Sequence, residues 1–224
     1  INKLQAQVLI NEYSCSNVST VTDVFGQNED WVELYNAGSS PVNLSGYYLS
    51  HDPNDPHMWQ IPAVTDITPG GRKMIFCSNR NLVDAGTGQI HPKFTLRQTW
   101  GHWFILSDPS GNIVDSVKLK ITQRNHSRAR VTDGSPNWMI DNTPTPNAPN
   151  NPTYTSYAST PVFNIQAGFY AGTQSVSISS PDPNVTIHYT TNGTEPLITS
   201  AVYTTPISVP ATMAIRAKAF SSVA

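Results

Sequence analysis

The stretch Asp30-Trp31-Val32-Glu33-Leu34-Tyr35-Asn36 decides the fold of the first half of this chain. Val32 and Leu34 alternate with Trp31, Glu33 and Tyr35. Such a period of two is typical of a half-buried β-strand. The turn-forming run Asn36-Ala37-Gly38 then ends the strand. This pattern predicts a β-protein.

An earlier stretch, Val8-Leu9-Ile10-Asn11-Glu12-Tyr13, repeats the same period. Its alternation predicts Ile10 and Glu12 on one face of a strand and Asn11 and Tyr13 on the other. No segment shows sustained helical periodicity, and turns rich in Pro, Gly, Asn and Asp separate the alternating runs. Short strands with frequent turns predict a β-sandwich or barrel. The other strands predicted in this part are 58–61, 73–77, 103–106, 113–117 and 129–131.

The composition narrows the class of protein further. Only 12% of the 224 residues are charged, against about 25% in typical soluble domains, and the formal net charge is -2. Coiled coils need Glu and Lys in heptads, and disordered chains combine high net charge with few aromatic residues, so both classes are excluded. No apolar run reaches the roughly 18 residues of a membrane span. We expect an all-β protein, secreted or at the cell surface, from which any signal peptide has been removed.

The composition changes over the segment from Asp141 to Pro152. A segment this rich in Pro and Asn favours extended backbone and cannot fill a hydrophobic core. We therefore predict a first domain over 1–142, a linker over 143–160 and a second domain over 161–224. In the second domain alternation resumes at 175–179, 186–190 and 214–220, with the tight-turn signal Asn192-Gly193.

The first half resembles the lamin tail domain family, and the matching elements occur in the family's order over about residues 5–150. The resemblance implies an immunoglobulin-like β-sandwich, and bacterial members of the family occur in exported, multi-modular proteins. The residues that carry it are Leu9–Tyr13, Asp30–Asn36, Val42–Ser50, Asp133-Gly134-Ser135, Trp138 and Thr143–Asn150.

Residues 160–224 resemble the small β-sandwich at the C-terminus of chitobiase and hexosaminidase-type enzymes. The resemblance implies a fibronectin-III-like accessory module without catalytic residues. In bacterial surface proteins this tandem often precedes a CotH-type kinase domain, so we expect a catalytic domain downstream of a truncated second module. The supporting residues are Thr186–Pro196, Tyr203, Pro206-Ile207 and Ile215–Phe220.

Two cysteines, Cys15 and Cys77, each follow an apolar strand-like run. In an exported protein they can form a disulfide, and the alternative is a pair of buried thiols that pack as small apolar groups. The sequence leaves both interpretations open.

The sequence contains no recognisable catalytic motif, and we predict that the chain is not an enzyme and holds no cofactor. Asp52, Asn54 and Asp55 offer oxygen atoms for a calcium ion, but a turn whose carboxylates cap backbone amides is the favoured interpretation. The pair Glu12 and Glu33 can in principle perform acid–base chemistry. The favoured interpretation is that these carboxylates are outward-facing or bind backbone amides of a neighbouring loop.

The charges are unevenly distributed along the chain. No Lys or Arg occurs between Leu4 and Gly71, whereas ten basic residues lie between Arg72 and Arg130. Either the two stretches neutralise each other across strands, or a basic cluster binds an anionic polymer such as an acidic glycan or nucleic acid. The net charge of -2 makes nucleic acid the less favoured partner. The cluster comprises Lys118, Lys120, Arg124, Arg128 and Arg130, with His126 among them.

Exposed tryptophans offer a second kind of site, because their rings stack on sugars. Trp59 and Trp100 are flanked by polar or flexible residues and are predicted to be exposed, with His102 beside Trp100. Trp31, Trp103 and Trp138 are predicted to lie in the core. The leading functional hypothesis is a non-catalytic pair of modules for adhesion, anchoring or spacing, with protein or glycan partners at the cell surface. The alternatives are a carbohydrate-binding accessory of a larger enzyme and a binder of anionic polymer.

Overall fold

The computed structural model describes residues 7–221. The chain divides into two compact units, unit 1 (Ile1–Thr155) and unit 2 (Ser156–Ala224). All regular structure among the described residues is β, as the sequence predicts, and no helix is present in them that could cross a membrane. Unit 1 contains the strands β1 (Val8–Ser14), β2 (Trp31–Asn36), β3 (Tyr48–Ser50), β4 (Trp59–Gln60), β5 (Arg72–Phe76), β6 (Leu82–Val83), β7 (Ile90–His91), β8 (Trp103–Ser107), β9 (Ile113–Lys118), β10 (Ser127–Arg130) and β11 (Trp138–Asp141).

Unit 1 is a sandwich of two sheets. The larger has seven strands in the order β11-β10-β1-β2-β5-β7-β6, and the smaller has four in the order β4-β3-β8-β9. The pairings are antiparallel except for that between β5 and β7. Buried aliphatic and aromatic side chains from both sheets form one core, and each contributes about 1.5–3 kcal/mol by leaving water. They include Val32, Leu34, Ile75, Leu49, Phe104 and Leu106.

A β-bulge at Asn11 changes which residues of β1 face the core. The register against β2 shifts between Ile10 and Glu12, so one extra residue stands in β1. Val8 and Ile10 point into the core before the bulge, and Tyr13 does so after it. The predicted placement of Ile10 and Glu12 on one face is therefore wrong, because a bulge inverts the alternation.

The outer face of the seven-stranded sheet is also covered. Trp31, Met74 and Phe76 form a second apolar cluster there, with Val21 of the preceding loop packed against it. Elsewhere on this face, polar groups of Glu12 and Glu33 bind the segment after β11.

Residues 141–150, which we call the strap, belong to unit 1. Tyr154 forms a β-bridge with Ile140, and the division between the units falls after Thr155. The predicted linker of 143–160 therefore contains both the end of unit 1 and the start of unit 2. Composition indicated an unpacked segment, but backbone amides and Asn150 anchor the strap through hydrogen bonds and not through apolar packing.

Unit 2 is built from three small antiparallel sheets with the orders β16-β15-β18, β12-β14 and β13-β17. The buried apolar residues of unit 2 include Val176, Ile178 and Ala219. These sheets are consistent with the predicted small sandwich. The strands are β12 (Val162–Phe163), β13 (Gln174–Val176), β14 (Ile178–Ser179), β15 (Val185–Thr190), β16 (Ala201–Val202), β17 (Ile207–Val209) and β18 (Arg216–Ser221).

Candidate functional site

The two carboxylates singled out by the sequence face each other across neighbouring strands. Glu12 of β1 is paired with Glu33 of β2, and both residues are fully buried. The bulge at Asn11 turns Glu12 to the outer face of the sheet, where Glu33 also lies. The strap covers this face.

Each carboxylate accepts hydrogen bonds from the strap. Glu12 Oε1 accepts from the Ser127 hydroxyl at 2.5 Å and the Thr145 amide at 3.1 Å, and Glu12 Oε2 accepts from the Thr145 hydroxyl at 3.2 Å. Glu33 Oε2 accepts from the Asn147 amide at 2.7 Å, and Glu33 Oε1 from Asn11 Nδ2 at 3.0 Å. Burial raises the pKa of Glu12 to about 7 and that of Glu33 to about 7, against the opposing effect of these donors.

A second set of polar groups extends the network. Asp133 accepts from Asn11 Nδ2 at 2.9 Å and from the Asn150 amide at 3.2 Å. Arg72 forms ion pairs with both Glu33 and Asp133. Asn150 Nδ2 donates to the carbonyl oxygens of Asn11 at 3.0 Å and of Arg130 at 3.1 Å.

The pair therefore acts as an anchor for the strap, which is one of the interpretations favoured from sequence. A general acid or base must reach the substrate proton within hydrogen-bonding distance. Here both groups are buried and their oxygens are bound to the protein's own donors. Sequence reasoning missed the roles of Asn11, Asp133 and Asn150, although all three belong to the quoted lamin-tail signature.

The loop proposed for calcium forms a turn. Asp52 Oδ1 accepts from the Asn54 amide at 2.9 Å and from its side-chain nitrogen at 3.1 Å, and the Asp52 carbonyl accepts from the Asp55 amide. This is the turn that the sequence favours over a metal loop. Within residues 7–221 no cluster of three His, Cys, Asp or Glu side chains is arranged to hold a metal ion.

Both cysteines are free, buried thiols in the structure. Cys15 follows β1 and Cys77 follows β5, and these strands lie on opposite sides of β2. Burial raises the pKa of both thiols well above the ordinary value. The buried-thiol alternative thus describes the structure.

Of the two tryptophans predicted to be exposed, one is exposed and the other is not. Trp59 is only 5% exposed, so its placement at a ligand-binding surface is wrong. It packs in the core, and its indole nitrogen donates to Asn81 Oδ1 at 2.6 Å. The signal was present, because Trp59 and Ile61 are buried on either side of exposed Gln60.

Trp100 is 67% exposed and stands on a short turn. Its amide donates to the Arg97 carbonyl oxygen, and Gly101 follows with φ of +73°, a conformation that glycine adopts without strain. The Arg97 guanidinium lies 4.3 Å from the centre of the indole ring. His102 lies beyond, its ring stacked on His51 at 4.2 Å and 6.2 Å from the ring of Trp100.

Part of the predicted basic cluster lies beside this turn. Lys118 is paired with Trp103, and the Leu119 amide donates to the His102 carbonyl oxygen at 3.0 Å. Leu119 is buried, whereas Lys118 and Lys120 on either side of it are exposed. We call the exposed side chains of Arg97, Trp100, Lys118 and Lys120 the Trp100 face.

Of the other three members of the cluster, Arg124 and Arg128 continue from this region, whereas Arg130 is buried and forms an ion pair with Asp115, so its predicted place in a ligand-binding cluster is wrong. Arg124 is exposed, and Arg128 donates twice to the Ile121 carbonyl oxygen, at 3.3 and 3.2 Å. The structure thus brings the predicted tryptophan site and the beginning of the basic cluster together.

Unit 2 has a cleft of about 710 Å³ with a largely apolar lining. Phe163, Val209 and Met213 line it, and the half-exposed Tyr170 stands at its edge. Among the residues that the structure describes, no charged side chain contributes to its lining.

Two families match this chain. The lamin tail domain matches residues 3–120, and the chitobiase/beta-hexosaminidase C-terminal domain matches residues 165–223. An endoglucanase of Clostridium saccharobutylicum is 46% identical over 46 residues, which are 20% of this chain and only 10% of that endoglucanase. Both matched families are accessory modules, and because the first match covers more than half of the sequence, the chain belongs to the lamin tail domain family.

Proposed function

We propose that this chain is a non-catalytic accessory region of a larger carbohydrate-active protein, secreted or displayed at the cell surface, and that unit 1 binds polysaccharide. The observation that carries the proposal is the exposed indole of Trp100, fixed by its turn and by Arg97. Large exposed aromatic side chains that are held in place commonly mark binding sites. The partial likeness to an endoglucanase supports a carbohydrate ligand.

The arrangement of the buried carboxylates supports an accessory role. Glu12 and Glu33 are occupied in holding the strap, so they do not provide an acid–base pair at a surface. Catalysis would then belong to another domain of the full-length protein. The neutral, turn-rich composition is the basis for placing that protein outside the cell.

A polysaccharide microarray tests the proposed binding. We expect the wild-type chain to retain at least one plant or microbial polysaccharide and Trp100→Ala to lose it, because the ring that stacks on sugar is removed. Tyr170→Ala in unit 2 is the matched control, since it also deletes a half-exposed aromatic side chain.

Equal binding by wild type and Trp100→Ala would contradict assignment of the site to Trp100. The absence of any polysaccharide binding would leave adhesion, anchoring or spacing through protein contacts as the function of the module pair.

A further inference from the structure

We infer that the polysaccharide bound by unit 1 is acidic, with carboxylate groups recognised by the basic residues of the Trp100 face. This inference rests on the proposed function and specifies its ligand class. The indole of Trp100 calls for a sugar ring in the ligand. The basic side chains of the Trp100 face call for an anionic group.

The backbone holds these side chains at one end of the sandwich. Gln98 Oε1 accepts from the Thr122 amide at 2.6 Å and from its hydroxyl at 3.1 Å, and Gln98 Nε2 donates to the Thr122 carbonyl oxygen at 3.3 Å. Together with the Leu119–His102 bond, these contacts tie segment 97–103 to segment 118–122. Trp100 and the two lysines are therefore presented from a fixed scaffold.

The ion pairs of unit 1 do not include the basic residues of the Trp100 face. Arg72 is paired with Glu33 and Asp133, Arg80 lies 3.9 Å from Asp23, and Arg130 is bound to Asp115. The Arg72–Glu33 and Arg80–Asp23 pairs join the acidic stretch to the basic one, as expected, whereas Arg130 is neutralised by Asp115 from within the basic stretch itself. Within the described part of the chain, no ion pair involves Arg97, Lys118 or Lys120, so their charges are available to a ligand.

The chemistry of Arg97 and Trp100 favours a carboxylated sugar over a neutral one. A guanidinium held against an indole is pre-oriented and can donate two parallel hydrogen bonds to a carboxylate. Lys118 and Lys120 are exposed on the segment that is hydrogen-bonded to residues 97–103, and they supply point charges beside the turn of Trp100. A neutral glycan would contact only the indole ring of Trp100 and would leave the basic side chains without a partner in the ligand.

Nucleic acid would also combine stacking with anionic contacts. The low number of unpaired cations and the net charge of -2 for the whole chain favour the glycan, because nucleic-acid-binding domains are usually strongly basic.

Two soluble cellulose derivatives separate charge from sugar recognition. Carboxymethyl cellulose and hydroxyethyl cellulose share one backbone and differ in the carboxylate. Affinity electrophoresis of the complete chain should show stronger retardation by carboxymethyl cellulose, weakened by added salt because exposed charges are screened. Polyglutamate and single-stranded DNA serve as polyanions without the cellulose backbone.

Charge-reversal variants assign the contact to the face. Lys118→Glu and Lys120→Glu should each weaken binding to carboxymethyl cellulose by about fivefold or more, the effect of losing one exposed charge contact. Arg216→Glu in unit 2 changes the net charge by the same amount and should leave binding unchanged. Circular dichroism of each variant verifies that it is folded.

Three results would overturn the inference. If the chain bound both cellulose derivatives equally and Trp100→Ala weakened that binding, the ligand would not need to be acidic. The proposed polysaccharide-binding function would still hold. Binding to polyglutamate or DNA as tight as to carboxymethyl cellulose would show a general polyanion surface. An equal effect of Arg216→Glu and Lys118→Glu would show dependence on net charge alone.

Discussion

Arg130 joins the two sheets of unit 1 through one guanidinium. Its Nε donates to the Ile10 carbonyl oxygen at 2.6 Å, Nη1 to that of Ser135 at 2.6 Å, and Nη2 to Asp115 Oδ2 at 2.8 Å. Asp115 lies on β9 of the smaller sheet, whereas Ile10 lies on β1 of the larger. Only a planar group with several donors can serve all three acceptors.

Arg130→Lys should therefore destabilise unit 1 although it keeps the charge. A lysine could serve only one of these three buried or partly buried acceptors, and we expect the free energy of unfolding to fall by about 3 kcal/mol. Urea denaturation followed by tryptophan fluorescence measures it. Arg216→Lys, at an exposed site, is the control, and a loss below about 1 kcal/mol at Arg130 would contradict the assigned role.

The buried carboxylates predict an unusual pH dependence of stability. The pKa of Glu12 is raised from 4.5 to about 7 by burial, so the folded state binds its proton more tightly than the unfolded state. The stability that comes from this proton is complete below about pH 4.5 and is lost as pH rises through about 7. Glu33 acts in the same direction, and Asp30 does so with a pKa of about 6.

The free energy of unfolding should accordingly decrease by roughly 2 kcal/mol per such glutamate between about pH 5 and about pH 8. Glu12→Gln mimics the protonated group and should reduce this dependence, which chemical denaturation at several pH values measures. Glu195→Gln, at a half-exposed site in unit 2, should not. A wild-type protein that becomes more stable over this interval would show that the hydrogen bonds to Glu12 outweigh its burial.

At the scale of single residues, the sequence predicted some positions correctly and others wrongly for identifiable reasons. Trp31 is fully buried and Trp100 is exposed, as expected. Trp59 was misplaced because its polar neighbours were given more weight than its alternation with Ile61. The face of Glu12 was misplaced because a bulge leaves no mark on local periodicity.

Among the elements, the strap shows most clearly what composition cannot reveal. Its prolines and asparagines indicate a linker, yet Thr145, Asn147 and Asn150 place their polar groups on buried acceptors. Those acceptors belong to strands far away in sequence, so only the tertiary fold brings donors and acceptors together. In unit 1, the strands with clear local periodicity were largely predictable, whereas the short strands β3, β6 and β7 and the strand β11 were not predicted.

Asn150→Ala tests the strap as a structural element. The substitution removes both donors to the Asn11 and Arg130 carbonyl oxygens, and we expect unit 1 to lose about 2 kcal/mol of stability. Thermal melting and limited proteolysis near residue 150 measure the loss. Asn142→Ala, an exposed position in the same segment, should leave both unchanged; equal effects at the two positions would contradict anchoring by Asn150.

For the molecule as a whole, the two thiols bear on its redox behaviour. Cys15 and Cys77 are 8% and 1% exposed, and a buried neutral thiol reacts slowly because the thiolate is the nucleophile. We expect the melting temperature to be unchanged by a reducing agent. A thiol reagent should label both cysteines only after unfolding, and a melting temperature that drops on reduction would demonstrate a disulfide.

The arrangement of charge is also a property of the whole chain. The few charged residues include buried arginines neutralised by acids and exposed cations grouped beside one tryptophan. From the sequence, neutralisation by acidic residues and binding of an anionic ligand were two alternatives for the basic residues. Which residue belongs to which set depended on burial and strand pairing.

The position of β1 in the larger sheet has a consequence for how the molecule acquires its structure. β1 is paired with β2 on one side and with β10 on the other, and 115 positions separate Glu12 from Ser127 along the chain. The middle of the sheet can therefore be completed only after nearly the whole unit has left the ribosome. Such distant pairing makes a large loop-closure entropy part of the folding barrier, which is why domains of this kind fold in milliseconds to seconds and not in microseconds. Until β10 has been synthesised, β1, which is buried along its whole length in the folded unit, lacks one of its two neighbours in the sheet.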